Sequence, residues 1–198
     1  MKDAGFTAVR LPVKWSAHAL SAAPYTIDST FFKRVDSAVC NATSLGLRII
    51  VNVHHYNELL TDPAAHLERF LALWRQIANR YKTQNDQVFF EILNEPNGKL
   101  EPLWNECAGK ALAVIRQSNP TQAVSIGPNG WNSIARLEEL VLPSDSALDR
   151  DRAFLRPVLV HASGRRVGHA RHTHGRGVPK KWHEHPRTLA KLLVGQHD

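Results

Sequence analysis

The hydrophobic residues of the first 145 positions follow two rhythms that alternate along the chain. Short runs of branched and aromatic residues, Ala8 to Val13, Leu47 to Val53, Val88 to Leu93 and Ala123 to Ile126, read as strands of a buried sheet. Between them apolar positions recur at the helical period. Phe31, Phe32, Val35, Ala38, Val39 and Ala42 make one stripe in a helix predicted from about Ser29 to Leu45, with Thr26 and Asp28 as caps and Gly46 as its stop. Leu67, Phe70, Leu71, Trp74, Ile77, Ala78 and Tyr81 make a second, in a helix that starts at Thr61-Asp62-Pro63. Leu103, Trp104, Cys107, Ala111, Val114 and Ile115 are the predicted inward face of a third, from about Pro102 to Gln117. Such alternation, with short connections, predicts an α/β fold around a parallel sheet.

The polar residues that interrupt this pattern collect just after the strands. Val88 to Leu93 is apolar except at Glu91 and gives way at once to Asn94-Glu95-Pro96. The proline stops the ladder and biases Glu95 towards an extended backbone, so a carboxylate is presented at the mouth of the sheet, for acid/base chemistry or as part of a capping turn. Arg10 sits inside the first strand, where a charge needs a buried carboxylate or a functional pocket, or else marks a sheet edge. Trp15 and His18 follow that strand, the tryptophan as a ligand platform or as a cover for the core. The second strand delivers His54, His55 and Tyr56. Adjacent strand residues point to opposite faces, so the histidine pair is a poor metal site, and a hydrogen-bonding histidine beside Glu95 is the expected role. After the fourth strand Trp131 offers a sugar-stacking platform or covers the base of its loop. Chemistry confined to C-terminal strand ends is the habit of an eight-fold β/α barrel. A doubly wound sheet looks alike at this level, but no strand leads into a phosphate-binding loop, since Gly127-Pro128-Asn129-Gly130 has the wrong spacing.

Composition bounds the partners. With 198 residues and 43% hydrophobic content the chain can bury the core of one domain or most of a larger one. No apolar run approaches the ~20 residues of a membrane span, and Met1 is followed by Lys2-Asp3-Ala4-Gly5 rather than a leader, so neither a membrane partner nor a targeting segment is expected. Cys40 and Cys107 lie in predicted helices and read as buried free thiols. The net charge of +7 points to nucleic acid only until it is divided along the chain. Residues 1–149 hold 14 Lys plus Arg against 15 Asp plus Glu, a net of −1, whereas residues 150–198 hold 11 against 3, a net of +8, with seven of the 11 histidines. The chain therefore divides into residues 1–148 and a basic tail, 149–198.

Arg10 in Val-Arg-Leu-Pro-Val, Val51-Asn52-Val53-His54-His55-Tyr56, Phe90 to Gly98 and Ile126-Gly127-Pro128, taken in this order and spacing, resemble glycoside hydrolase family five, the cellulase family of retaining β-glycanases. The resemblance covers residues 1 to about 145. It implies a partial (β/α)8 barrel made of strands two to five, an endo-β-1,4-glucanase-like activity on β-linked glucan, or mannan, and no cofactor, metal or nucleic-acid partner; oligomeric state is left open. It implies that Glu95 is the general acid/base, that Asn94 hydrogen-bonds the sugar 2-hydroxyl, and that Arg10 and His54 support the site, with His55 and Trp131 as subsite contacts. A secreted or periplasmic full-length protein is implied as well. A retaining enzyme needs a second carboxyl roughly 5 Å away as nucleophile, which the family carries after strand seven.

The tail does not read as strands six to eight. Gly164-Arg165-Arg166, His169 to Arg176 and His183-Glu184-His185 lack branched runs, and Phe154 is the lone phenylalanine. A polyanion-binding tail or a histidine metal site lacks a recognisable fold or ligand set. Regrouping the codons of residues 151–168 by one nucleotide permits Thr-Val-His-Phe-Tyr-Asp-Pro-Phe-Ser-Phe-Thr-His-Gln-Gly-Ala-Glu-Trp-Val, a string similar to the family's sixth strand. The expectation is a frame shift near Asp145 to Asp149 that leaves the tail out of frame and poorly ordered; an intact frame with no family-like continuation downstream, on sequencing the gene, would remove it. The expected product is the N-terminal half of a hydrolase without its nucleophile; the alternative is an inactive fragment with at most weak carbohydrate binding.

Overall fold

The computed structural model describes residues 5–84, 86–141, 143, 145 and 190–191. The predicted basic tail lies outside them apart from that last pair. Four parallel strands, β1 (Ala8–Val13), β2 (Arg48–Val53), β3 (Val88–Glu91) and β4 (Val124–Ser125), stand side by side in sequence order. A two-residue strand, β5 (Ala190–Lys191), pairs with the free side of β1, also in parallel. Parallel neighbours require long crossovers, supplied by α1 (Ser29–Ser44), by α2 (Asn57–Thr61) with α3 (Pro63–Tyr81), and by α4 (Trp104–Arg116).

Local chemistry sets the helix bounds. The Asp28 carboxylate accepts from the Phe31 amide at 2.6 Å, and Gly46, at a φ of +67°, lets the chain turn back after α1. Asp62 caps α3 through the Ala65 amide at 3.2 Å, with Pro63 in the first turn. The third helix starts two residues later than its apolar spacing predicts. Gly98–Leu103 form a 3-10 turn around Pro102, which rotates Leu103 outward to 41% exposure, against its predicted inward position. Cys107 is buried as expected, but Cys40 is exposed, because it lies on the solvent side of the Val39 and Ala42 stripe.

Alternation along β1 divides the sheet into two faces. Val9, Leu11 and Val13 are buried with the helices, while Ala8, Arg10 and Pro12 face the other side. Register then stacks the inner face in layers: Arg10 level with Ile50 and Phe89, and Pro12 level with Asn52, Glu91 and Ser125. This is half of a barrel wall, with its polar layer towards the C-terminal strand ends.

Three buried tryptophans pin those ends from outside. Trp15 donates its indole N–H to Asn52 O (2.9 Å), Trp74 to Ile92 O (3.0 Å) and Trp104 to Gly127 O (2.8 Å). Each buries a large apolar body and satisfies a carbonyl at or just past a strand end. Trp15 is therefore core, and of its two sequence readings the ligand platform falls away.

Candidate active site

Main-chain pairing continues past the strands and assembles the rim. The His54 amide donates to Val13 O at 2.9 Å and the Asn94 amide to Val53 O at 2.9 Å, so the residues following β2 and β3 are held level with the end of β1. Each of the three rim loops then leaves the sheet through a left-handed backbone. His55 has φ +54°, Glu95 +50°, and Gly130, Trp131 and Asn132 about +60°. For a non-glycine residue this costs of order 1–3 kcal/mol, and such residues concentrate where the chain must turn a side chain abruptly. Glu95 is thus not extended, contrary to the expectation from Pro96. The bias before proline acts chiefly against the right-handed helical region, and here Glu95 O is bonded by the Asn97 side chain at 2.7 Å.

Arg10 finds the carboxylate that its position demanded. Its Nε and Nη2 donate to the two Glu91 oxygens, each at 2.6 Å, and Nη2 also reaches Asn94 Oδ1 at 2.9 Å. With the Asn52 amide assigned so that donor meets acceptor, its oxygen accepts from Arg10 Nη2 at 2.7 Å and its nitrogen donates to Leu11 O at 3.3 Å. The fork-to-fork pair is largely buried, with side chains 16% and 13% exposed, and the edge-charge reading of Arg10 falls away. Glu91 and Asn52 are the members that sequence reasoning left out of the site. Their signals were present: Glu91 is the polar exception in an apolar strand, and a buried arginine implies a buried carboxylate within reach, here on β3, across β2 from Arg10.

Arg10 also fixes the Asn94 amide. Because the guanidinium occupies Oδ1, the Asn94 nitrogen is left as the outward donor. Glu95 follows, half-buried, and its carboxylate accepts no hydrogen bond among the described residues. His54 is buried and His55 exposed, as opposite-facing neighbours should be, with their rings edge-to-face at 4.1 Å. Tyr56 points into the core, where its hydroxyl meets His66 Nδ1 at 3.2 Å and Arg69 Nη1 at 3.4 Å; burial raises its pKa, the Arg69 contact opposing. His18 is exposed and stacks on Phe31 at 3.7 Å. Trp131 is 58% exposed, and its amide donates to Pro96 O at 3.1 Å, tying the loop after β4 to the Glu95 turn. Among the described residues no group of three or more His, Cys, Asp or Glu is placed to hold a metal ion, and no helix is long and apolar enough to cross a membrane.

Known proteins resemble this chain in sequence and fold. The family model for cellulase (glycosyl hydrolase family 5) matches residues 1–156. Endoglucanase H of Acetivibrio thermocellus is 38% identical over 148 residues, which cover 74% of this chain and 16% of that protein. Endoglucanase A of Ruminococcus albus is 33% identical over 138 residues, 67% of this chain and 38% of that one. The crystal structure of endoglucanase Cel5A from Thermotoga maritima superposes with a TM-score of 0.71 at 50% identity, over 72% of this chain and 47% of that one. Structures of Cel5A in complex with mannotriose and, in mutant form, with cellobiose superpose at 0.71 and 0.70. The chain spans about half the length of these solved structures and less of the curated relatives. With its half-barrel of parallel strands and a family match over most of its length, this chain belongs to the cellulase family, glycosyl hydrolase family 5.

Proposed function

We propose that the chain carries the acid/base half of a retaining endo-β-1,4-glucanase-like site. Glu95 protonates the departing glycosidic oxygen and afterwards takes the proton of the attacking water. Asn94 donates from its side-chain nitrogen to the 2-hydroxyl of the bound sugar, Arg10 and His54 hold the rim, and His55 and Trp131 contact the flanking sugar units. The observation that carries this reading is the Arg10 to Asn94 Oδ1 bond at 2.9 Å, which orients an amide donor beside a carboxylate without hydrogen-bond partners among the described residues. The Cel5A complexes with mannotriose and cellobiose support a β-linked oligosaccharide as ligand.

Glu91 does not serve as the nucleophile, because both of its oxygens are taken by Arg10. In this reading the second carboxyl belongs outside the described residues, since the family carries it after strand seven, beyond the strands that the resemblance covers. The family match ends at residue 156, and the single glutamate beyond it is Glu184, within the basic tail. Without a nucleophile the covalent step is lost, so the chain by itself binds β-linked sugar weakly and does not turn it over. The test is an NMR titration of the labelled chain with cellotetraose and with α-linked maltotetraose, alongside reducing-sugar release from carboxymethyl cellulose. Shifts at the Asn94 side-chain amide and at Glu95 with cellotetraose alone, without release, are expected. Equal shifts with both sugars, or none with cellotetraose, would contradict the site. Turnover abolished by Glu95→Gln would uphold the role of Glu95 and overturn the inactivity.

A further inference from the structure

The turn that carries Glu95 is held from two sides. Glu95 occupies the left-handed region at φ +50°, which residues with a Cβ avoid, and the following Pro96 has no N–H with which to stabilise the turn. Two carbonyls therefore carry the anchorage. Pro96 O accepts from the main-chain amide of Trp131 at 3.1 Å, and Glu95 O accepts from Asn97 Nδ2 at 2.7 Å. The first bond is made by backbone and is available whatever side chain stands at 131. The second depends on one side chain. Asn97 is extended, at φ −158°, and half-buried, so its amide reaches back two residues without strain of its own. Gly98 closes the other end of the turn at φ +67°, where a Cβ would come 3.1 Å from Leu60 O, so the chain beyond Asn97 has little room to follow a shift of Glu95.

We infer that Asn97 is a positioning residue for Glu95, its side-chain amide holding the left-handed turn that sets where the carboxylate stands. The functional weight of this assignment rests on Glu95 being the acid/base; its structural content does not. In the full chain, uniformly labelled, the Glu95 amide-to-α-proton coupling and Cα shift report its backbone conformation, and cellotetraose titration reports the site. Asn97→Asp preserves shape but at pH 7 offers no donor. With one hydrogen bond of ordinary strength removed, the ratio of left-handed to other Glu95 conformers should fall about fivefold. Lowering the pH to about 3 protonates the introduced carboxyl, which donates again, so the wild-type coupling should return. Asn97→Leu should show the loss at both pH values.

A merely space-filling asparagine predicts no such pH-reversed signature. An unchanged Glu95 coupling and Cα shift in Asn97→Asp at pH 7 would overturn the inference. Should Asn97→Leu fail to fold, Asn97→Asp read at the two pH values decides alone. Altered Glu95 coupling in the variants, with no cellotetraose binding by any of the proteins, would support the positioning role while counting against the acid/base reading.

Discussion

Arg10→Met is the substitution whose effect the geometry specifies most closely. Methionine keeps much of the apolar stem of the arginine and removes the guanidinium, which donates at 2.6 Å to each Glu91 oxygen and reaches Asn94 and Asn52 at 2.9 and 2.7 Å. The loss leaves a carboxylate, 13% exposed, without its cation. Breaking a fully buried pair costs about 3–5 kcal/mol, and the residual exposure here places the expected loss near the lower end, about 3 kcal/mol. Adding Glu91→Leu removes the stranded charge, so the double variant should recover most of that loss. The resulting coupling energy should be about 2 kcal/mol. Urea unfolding followed by tryptophan fluorescence reads this cycle, since Trp15, Trp74 and Trp104 are all buried in the core. A single-variant loss below about 0.5 kcal/mol, or strict additivity in the double variant, would refute the claim that Arg10 and Glu91 form the pair around which the rim is built.

Other consequences are as direct. Burial, with Asp36 adding to it, raises the Tyr81 pKa above its ordinary value near 10, and burial raises that of Tyr56. Below pH ~10 both phenols are neutral, folded or unfolded. Above it the unfolded chain releases protons that the folded chain retains, so stability should fall as pH rises past about 10, and Tyr81→Phe should lessen the fall in alkaline urea titrations. Cys40 is exposed while Cys107 is buried, its pKa raised by desolvation; Ellman's reagent should label one thiol in the native protein and the second only on unfolding. Gly98→Ala places a Cβ 3.1 Å from Leu60 O at a φ of +67° and should cost more than about 1 kcal/mol in the same urea assay, because backbone cannot yield as a side chain can.

What the chain shows to a reader of its sequence is uneven for physical reasons. Strand and helix order is legible because burial on two faces and on one face leave different periods, and α1, α3 and the core of α4 fall where their stripes place them. Exact limits are less so. Pro102 converts the first turn of the third helix into a 3-10 segment and turns Leu103 outward, a local effect that spacing alone does not register. Arg10 is legible as a charge inside an apolar strand, and Asn94 and Glu95 as polar residues at a strand end, but their bonding is not. Parallel register puts Glu91 within reach of Arg10, 81 positions away, and only the assembled sheet sets that register. Glu95 departs from the extended backbone favoured before proline because its turn is held by the Asn97 and Trp131 contacts, which no local propensity registers.

The central claim is that Glu95 is a general acid/base whose partner lies elsewhere in a complete barrel. It is tested most directly by joining residues 1–141 to the second half of Thermotoga maritima Cel5A, the structure with 50% identity to this chain, and measuring Glu95→Gln in that fusion. The account predicts an active fusion in which the variant loses about 10²–10⁴-fold on carboxymethyl cellulose. The loss should be far smaller for the first, glycosylation step on an aryl cellobioside whose leaving group needs no proton. An active fusion in which Glu95→Gln leaves both substrates unaffected, or lowers both glycosylation rates equally, would contradict it.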